Sequence, residues 1–95
     1  MNIPHKEFGK HYLVEFIDCD PAKLKFSDEV QGMLLHAAKE SNATVLKYFF
    51  HQFEPSGVTG IILIAESHFF IHTWPEDQYA ALLVVYLAIP KAIAV

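Results

Sequence analysis

Two stretches of the chain, Ile61-Ile62-Leu63-Ile64 and Ala80-Ala81-Leu82-Leu83-Val84-Val85, are apolar at every position. A strand with one face in water alternates apolar and polar residues, so runs without alternation demand a sheet that is covered on both faces. Only one segment has the helical period needed to supply such a cover. Between Ser27 and Glu40, the residues Val30, Met33, Leu34, Ala37 and Ala38 fall on one face of a helix. Ser27 is placed to cap it, Asp28 and Glu29 suit its positive end, and Ser41-Asn42 can close it. One helix cannot cover two sheet faces. With 95 residues, 53% apolar and 14% aromatic, the chain has enough for one compact domain, but its core is limited and association with a second subunit is the expected remedy.

The remaining elements read as strands. His11-Tyr12-Leu13-Val14-Glu15-Phe16-Ile17 is rich in β-branched and aromatic residues and runs into Asp18-Cys19-Asp20-Pro21, which has turn chemistry. Ala43 to Phe53 is a second strand, closed by the turn Glu54-Pro55-Ser56-Gly57. Val58 to His72 reads as one long strand, Trp74-Pro75-Glu76-Asp77 as a loop, and Tyr79 to Leu87 as the last strand, while Pro90 is placed to open a rudimentary second helix. The order β-α-β-β-β predicts an α+β fold. It has an antiparallel sheet of about four strands with one main helix on it, a two-layer sandwich that dimerises. No linker or repeat divides residues 1–95, so a single domain is expected.

Composition excludes some partners. Seven Lys plus Arg against eleven Asp plus Glu give a formal charge of -4, without the basic cluster that a phosphate backbone requires, so nucleic acid is not an expected partner. Nor is a membrane. Tyr79 to Val95 is the most apolar region, yet Pro90 interrupts it and it is too short to span a bilayer as a helix. The single Cys19 has no partner for an intramolecular disulfide and Met1 to Lys6 lacks the apolar stretch of a signal peptide, which predicts a cytoplasmic protein.

Against this apolar background one segment stands out. Ala65-Glu66-Ser67-His68-Phe69-Phe70-Ile71-His72-Thr73-Trp74-Pro75-Glu76 concentrates hydroxyls, two imidazoles, two carboxylates and an indole in strand-like sequence. Polar groups in such a run cost free energy unless they are paired or used. His68 and His72 have a chelating spacing only on a helix; on a strand they share a face roughly 13 Å apart, so no metal site is expected. Ser67 lacks the Gly-x-Ser-x-Gly elbow of a hydrolase, and Glu66 and Glu76 fit no carboxylate-pair motif. Residue types and spacing alone leave the cluster unassigned.

Glu66-Ser67-His68 followed by Ile71-His72-Thr73-Trp74-Pro75-Glu76 resembles the processing-site signature of the small bacterial and archaeal S-adenosylmethionine decarboxylases. The likeness extends upstream through Gly9-Lys10-His11, Asp18-Cys19-Asp20-Pro21, Phe50-His51, Phe53 and Gly57-Val58-Thr59-Gly60, over roughly residues 9 to 81. It implies a self-cleaving proenzyme of polyamine (spermidine) biosynthesis. The Ser67 hydroxyl would attack the carbonyl of Glu66, and elimination would then split the chain into residues 1–66 and 67–95, leaving a pyruvoyl cofactor made from Ser67. Its ketone would condense with the amine of S-adenosylmethionine and act as an electron sink.

By the same resemblance His72 removes the proton in that elimination and Thr59 aids the acyl shift. Phe53 stacks on adenine, Glu76 binds the ribose hydroxyls, and His68 and Trp74 are further substrate-binding residues. Ser67 and His72 are an odd number of residues apart. On a regular strand they face opposite ways, roughly 16 Å apart. The resemblance resolves this with a homodimer, in which Thr59, His72, Phe53 and Glu76 of one subunit serve Ser67 of the other.

The chain departs from the family pattern in its last third. Leu87 stands where the family has the cysteine that protonates the decarboxylated carbon, Phe70 and Gln78 replace a small hydroxyl residue and a glycine, and Val95 falls near the start of the family's second helix. Two other readings therefore stay open: an unprocessed homologue that only binds S-adenosylmethionine, and a pyruvoyl-dependent decarboxylase of arginine or ornithine.

Overall fold

The computed structural model describes residues 9–65 and 67–87. Its regular elements are β1 (Gly9–Phe16), α1 (Ser27–Glu40), β2 (Val45–Gln52), β3 (Val58–Ile64), β4 (Ser67–Trp74) and β5 (Tyr79–Leu87), with short 3-10 turns at Pro21–Lys23 and Pro75–Asp77. The strands form one antiparallel sheet in the order β1-β5-β4-β3-β2. The α+β class, the antiparallel meander and the single main helix are as expected. The second helix expected from Pro90 lies outside the described residues.

The sheet has five strands rather than about four, because the segment read as one strand from Val58 to His72 is a hairpin. Ile64 pairs with Ser67, so residues 65 and 66 alone connect β3 to β4. A two-residue connection ordinarily draws on Gly, Asn or Asp, and Ala65-Glu66 offers none, which is why the turn is invisible in the sequence. The Ala65 N–H donates to Thr44 O at 3.0 Å, tying this turn to the segment before β2.

Folding back at residue 65 sets the register on which the site depends. Thr59 pairs with His72, and on the far side of β3 His51 pairs with Thr59.

The helix packs on one face only. Val30 and Leu34 of α1 meet Val58, Ile62, Ile64 and Ile71, with Phe50, Phe69 and Leu82 around them. Because strand residues alternate between faces, the opposite face carries Thr59, Ile61 and Leu63 of β3 and His68, Phe70, His72 and Trp74 of β4. No helix among the described residues covers that face. Leu13 and Phe49 are each 65% exposed there and Leu63 39%. On the helix side the cover stops short of β1, leaving an apolar cavity of about 430 Å³ between α1 and Phe16, Ala80 and Leu82.

Gln52 takes over the capping expected of Ser27. Its Oε1 accepts from the Ser27 N–H at 2.6 Å, satisfying one of the free donors at the start of α1 from a distant strand. Its Nε2 lies within hydrogen-bond reach of the carbonyls of Lys25, Phe53 and Gly57 at 2.8, 2.9 and 3.1 Å. At the other end the expectation holds: Ser41 Oγ donates to Ala37 O at 2.8 Å and Asn42 turns the chain with φ 59°.

Candidate active site

Five of the sequence-selected residues, Phe53, Thr59, His72, Trp74 and Glu76, line one cavity of about 290 Å³ together with Ser56, Gly57 and Thr73. It lies where the end of β2, the start of β3 and the end of β4 meet. Thr59 and His72 reach it from neighbouring strands, and Thr59 Oγ1 is 3.0 Å from His72 Nδ1, with both side chains half-buried. Phe53 stands just past β2, and Glu76 stands on the 3-10 turn that follows Trp74.

The walls are fixed from below. Thr73 is buried; its hydroxyl accepts from the Val58 N–H at 2.8 Å and donates to Leu24 O at 2.8 Å. The Phe53 N–H donates to Gly57 O and the Gly57 N–H to Lys25 O, each at 2.9 Å. Gly57 has φ +108°, a conformation that a side chain disfavours, and a Cβ there would stand 3.4 Å from Thr73 O. This glycine lets the turn pass close under the cavity. Sequence reasoning identified the turn at residues 54–57 but missed Ser56, Gly57 and Thr73 as site residues. Only the cross-strand register brings them in.

Trp74 packs against the His72 imidazole at 6.1 Å and the Tyr79 ring at 5.4 Å between ring centres. The Tyr79 phenol donates to Glu15 Oε1 at 3.1 Å. Partial burial of the phenol and then the Glu15 carboxylate raise the Tyr79 pKa above its ordinary value of 10.0.

The other selected residues lie elsewhere. Ser67 opens β4 at its opposite end from Trp74; its hydroxyl is buried and donates to Val85 O. Within one protomer it stands roughly 16 Å along the strand from His72. His68 is half-buried on the helix-free face, edge-on to Phe70 with ring centres 5.1 Å apart, and does not line the cavity. Glu66 lies outside the described residues. Leu87 is the last residue of β5, and its backbone pairs with Gly9.

A family model described as S-adenosylmethionine decarboxylase matches residues 10–89. The chain belongs to this family. It is 52% identical over 73 residues to an S-adenosylmethionine decarboxylase proenzyme of Parasynechococcus marenigrum, a match covering 77% of this chain and 57% of that protein. It is 46% identical over 74 residues to the proenzyme of Pyrococcus abyssi, covering 78% and 53%. The crystal structure of the adenosylmethionine decarboxylase from Aquifex aeolicus superposes with a TM-score of 0.80 at 34% identity, over 90% of this chain and 70% of that one. The chain thus spans little more than half the length of the curated decarboxylase proenzymes it matches. The cavity of Thr59 and His72 is the candidate site of a family member.

Proposed function

We propose that the chain is a self-processing, pyruvoyl-dependent decarboxylase of S-adenosylmethionine that acts in polyamine biosynthesis as a homodimer. One observation carries the reading: a hydroxyl and an imidazole at 3.0 Å share a cavity with an aromatic ring, an indole and a carboxylate suited to a nucleoside. The placement of Ser67 suits a precursor of the pyruvoyl group. It follows a two-residue connection, so cleavage before it would leave every strand pairing of β3 and β4 intact.

The residues divide the work by chemistry. For His72 to take a proton at Nε2, Nδ1 must carry hydrogen, and the Thr59 hydroxyl at 3.0 Å can accept it and so accommodates that tautomer of the base. Phe53 and Trp74 offer faces to a purine, and Glu76 offers an acceptor pair to ribose hydroxyls. The pyruvoyl ketone supplies the electron sink that loss of an α-carboxylate needs.

Distance supports the dimer. Ser67 opens β4 and His72 stands five residues along it, a separation of roughly 16 Å that favours a second copy as the source of the pair that processes Ser67. The helix-free sheet face, with Leu13 and Phe49 exposed, is the apolar surface that such a copy would cover.

Intact mass spectrometry tests the proposal. The expected result is two fragments, residues 1–66 and 67–95, the smaller one labelled by a carbonyl reagent, with carbon dioxide released from carboxyl-labelled S-adenosylmethionine. Full-length chain persisting after prolonged incubation refutes it.

A further inference from the structure

We infer that His51, which does not line the cavity, is a positioning residue that holds the Phe53 ring in the orientation that receives a nucleobase. The inference rests on the nucleoside reading of the cavity and adds a residue to it. Phe53 is 47% exposed, so packing does not confine its ring on every side. Its backbone is pinned, the N–H donating to Gly57 O at 2.9 Å and the carbonyl accepting from Gln52 Nε2 at 2.9 Å. Those bonds fix where the ring starts and leave its side-chain torsions free.

The exposed imidazole of His51 is the ring contact made with Phe53 among the described residues. The two ring centres are 4.6 Å apart at an interplanar angle of 73°, an edge-to-face pair. The ladder fixes the His51 backbone, since it is the cross-strand partner of Thr59, whose hydroxyl meets His72, and so sets the place from which its imidazole meets the Phe53 ring. A ring with two free torsions loses entropy when it must stack on a ligand, and a neighbour that selects the stacking orientation in advance removes part of that loss.

The test reads Trp74, the one tryptophan in the chain, which lines the same cavity. Its emission is titrated with adenosine and with S-adenosylmethionine in the wild type, His51→Ala and His51→Phe. An edge-to-face pair is worth enough to shift affinity roughly threefold to tenfold, so His51→Ala should weaken both ligands by that factor. His51→Phe, which keeps a ring of similar size, should restore affinity to within about twofold. Processing at Ser67 reports on Thr59 and His72, so a general loss of structure would slow it in His51→Ala as well. Affinity unchanged in His51→Ala, affinity not restored in His51→Phe, or processing lost in parallel with binding overturns the inference. A wild type whose Trp74 emission ignores both ligands overturns the nucleoside reading itself, and the inference falls with it.

Discussion

At position 60 only a hydrogen fits. Gly60 pairs with Phe50 across β2 and β3, and a Cβ built on it would run into the Phe50 ring, which lies over the glycine on the helix side. Gly60→Ala therefore forces that ring out of the core and should cost about 1–3 kcal/mol in urea unfolding. Combining it with Phe50→Ala should make the two costs less than additive, because the clash disappears with the ring. Leu87 poses a chemical rather than a steric question. A hydrocarbon side chain cannot donate a proton, so on the decarboxylase reading the product carbon must be protonated from elsewhere. Leu87→Cys should raise product formation about a hundredfold if proton delivery limits turnover, while leaving the extent of cleavage at Ser67 unchanged. Product measured against cleaved chain separates the two effects. At this scale the residues picked out in the sequence divide by place, Ser67 and His68 lying away from the cavity. Phe53, Thr59, His72, Trp74 and Glu76 were all legible from the resemblance and all line one cavity. His51 and Thr73 were not, because their part depends on which residue faces which across the ladder, and no local pattern encodes that.

Elements whose ends carry their own chemistry were legible, and those ended by tertiary contact were not. The Tyr79 to Leu87 strand matches β5 at both ends, because the polar turn before Tyr79 and the unbroken apolar run after it leave little choice. The close of α1 at Ser41-Asn42 is likewise local. Its start at Ser27 is also where the sequence pattern put it, but the capping partner is not local: it is Gln52, 25 residues later, reached only once β2 lies beside the loop before the helix. The division of Val58 to His72 into β3 and β4 escaped notice for a related reason. Ala65 and Glu66 have no turn preference, and pairing of the apolar residues on either side decides the fold-back. Gln52 thus joins α1, β2 and the turn under the cavity through one side chain. Gln52→Leu should lower stability by about 1–3 kcal/mol, since it strands a helix N–H and the carbonyls beside it. Gln52→Glu retains the acceptor for Ser27 and should recover part of the loss. Denaturant midpoints of the two variants separate the capping contribution from the amide donor's.

For the whole molecule the decisive fact is that the proposed nucleophile and its proposed helpers occupy opposite ends of one strand. Ser67 and His72 share β4, and the hydroxyl, imidazole and cavity cluster at the end away from Ser67. A single copy cannot close that gap without breaking the ladder with β3 and β5. On the dimer reading the His72 that serves Ser67 belongs to a second copy, and the helix-free face is where the unalternating apolar runs would find their second cover, while the Ser67 side chain itself points to the helix side. The arrangement is open to a complementation test. Ser67→Ala has no nucleophile and His72→Asn has no base, so each alone should remain full length. In a mixed dimer, Ser67 of the His72→Asn chain faces the intact His72 of its partner. Co-expressing the two variants should cleave only the His72→Asn chain, and random pairing in equal amounts should cleave about half of it. Mass spectrometry resolves the two chains by their substitutions. If each serine were served by its own histidine, no mixture would cleave, because neither chain holds both residues. The same experiment with Phe49→Glu added to both chains should abolish cleavage while each chain keeps its fold, because a carboxylate in place of this exposed ring on the edge strand β2 puts a charge on the apolar face and opposes the pairing that brings His72 to Ser67.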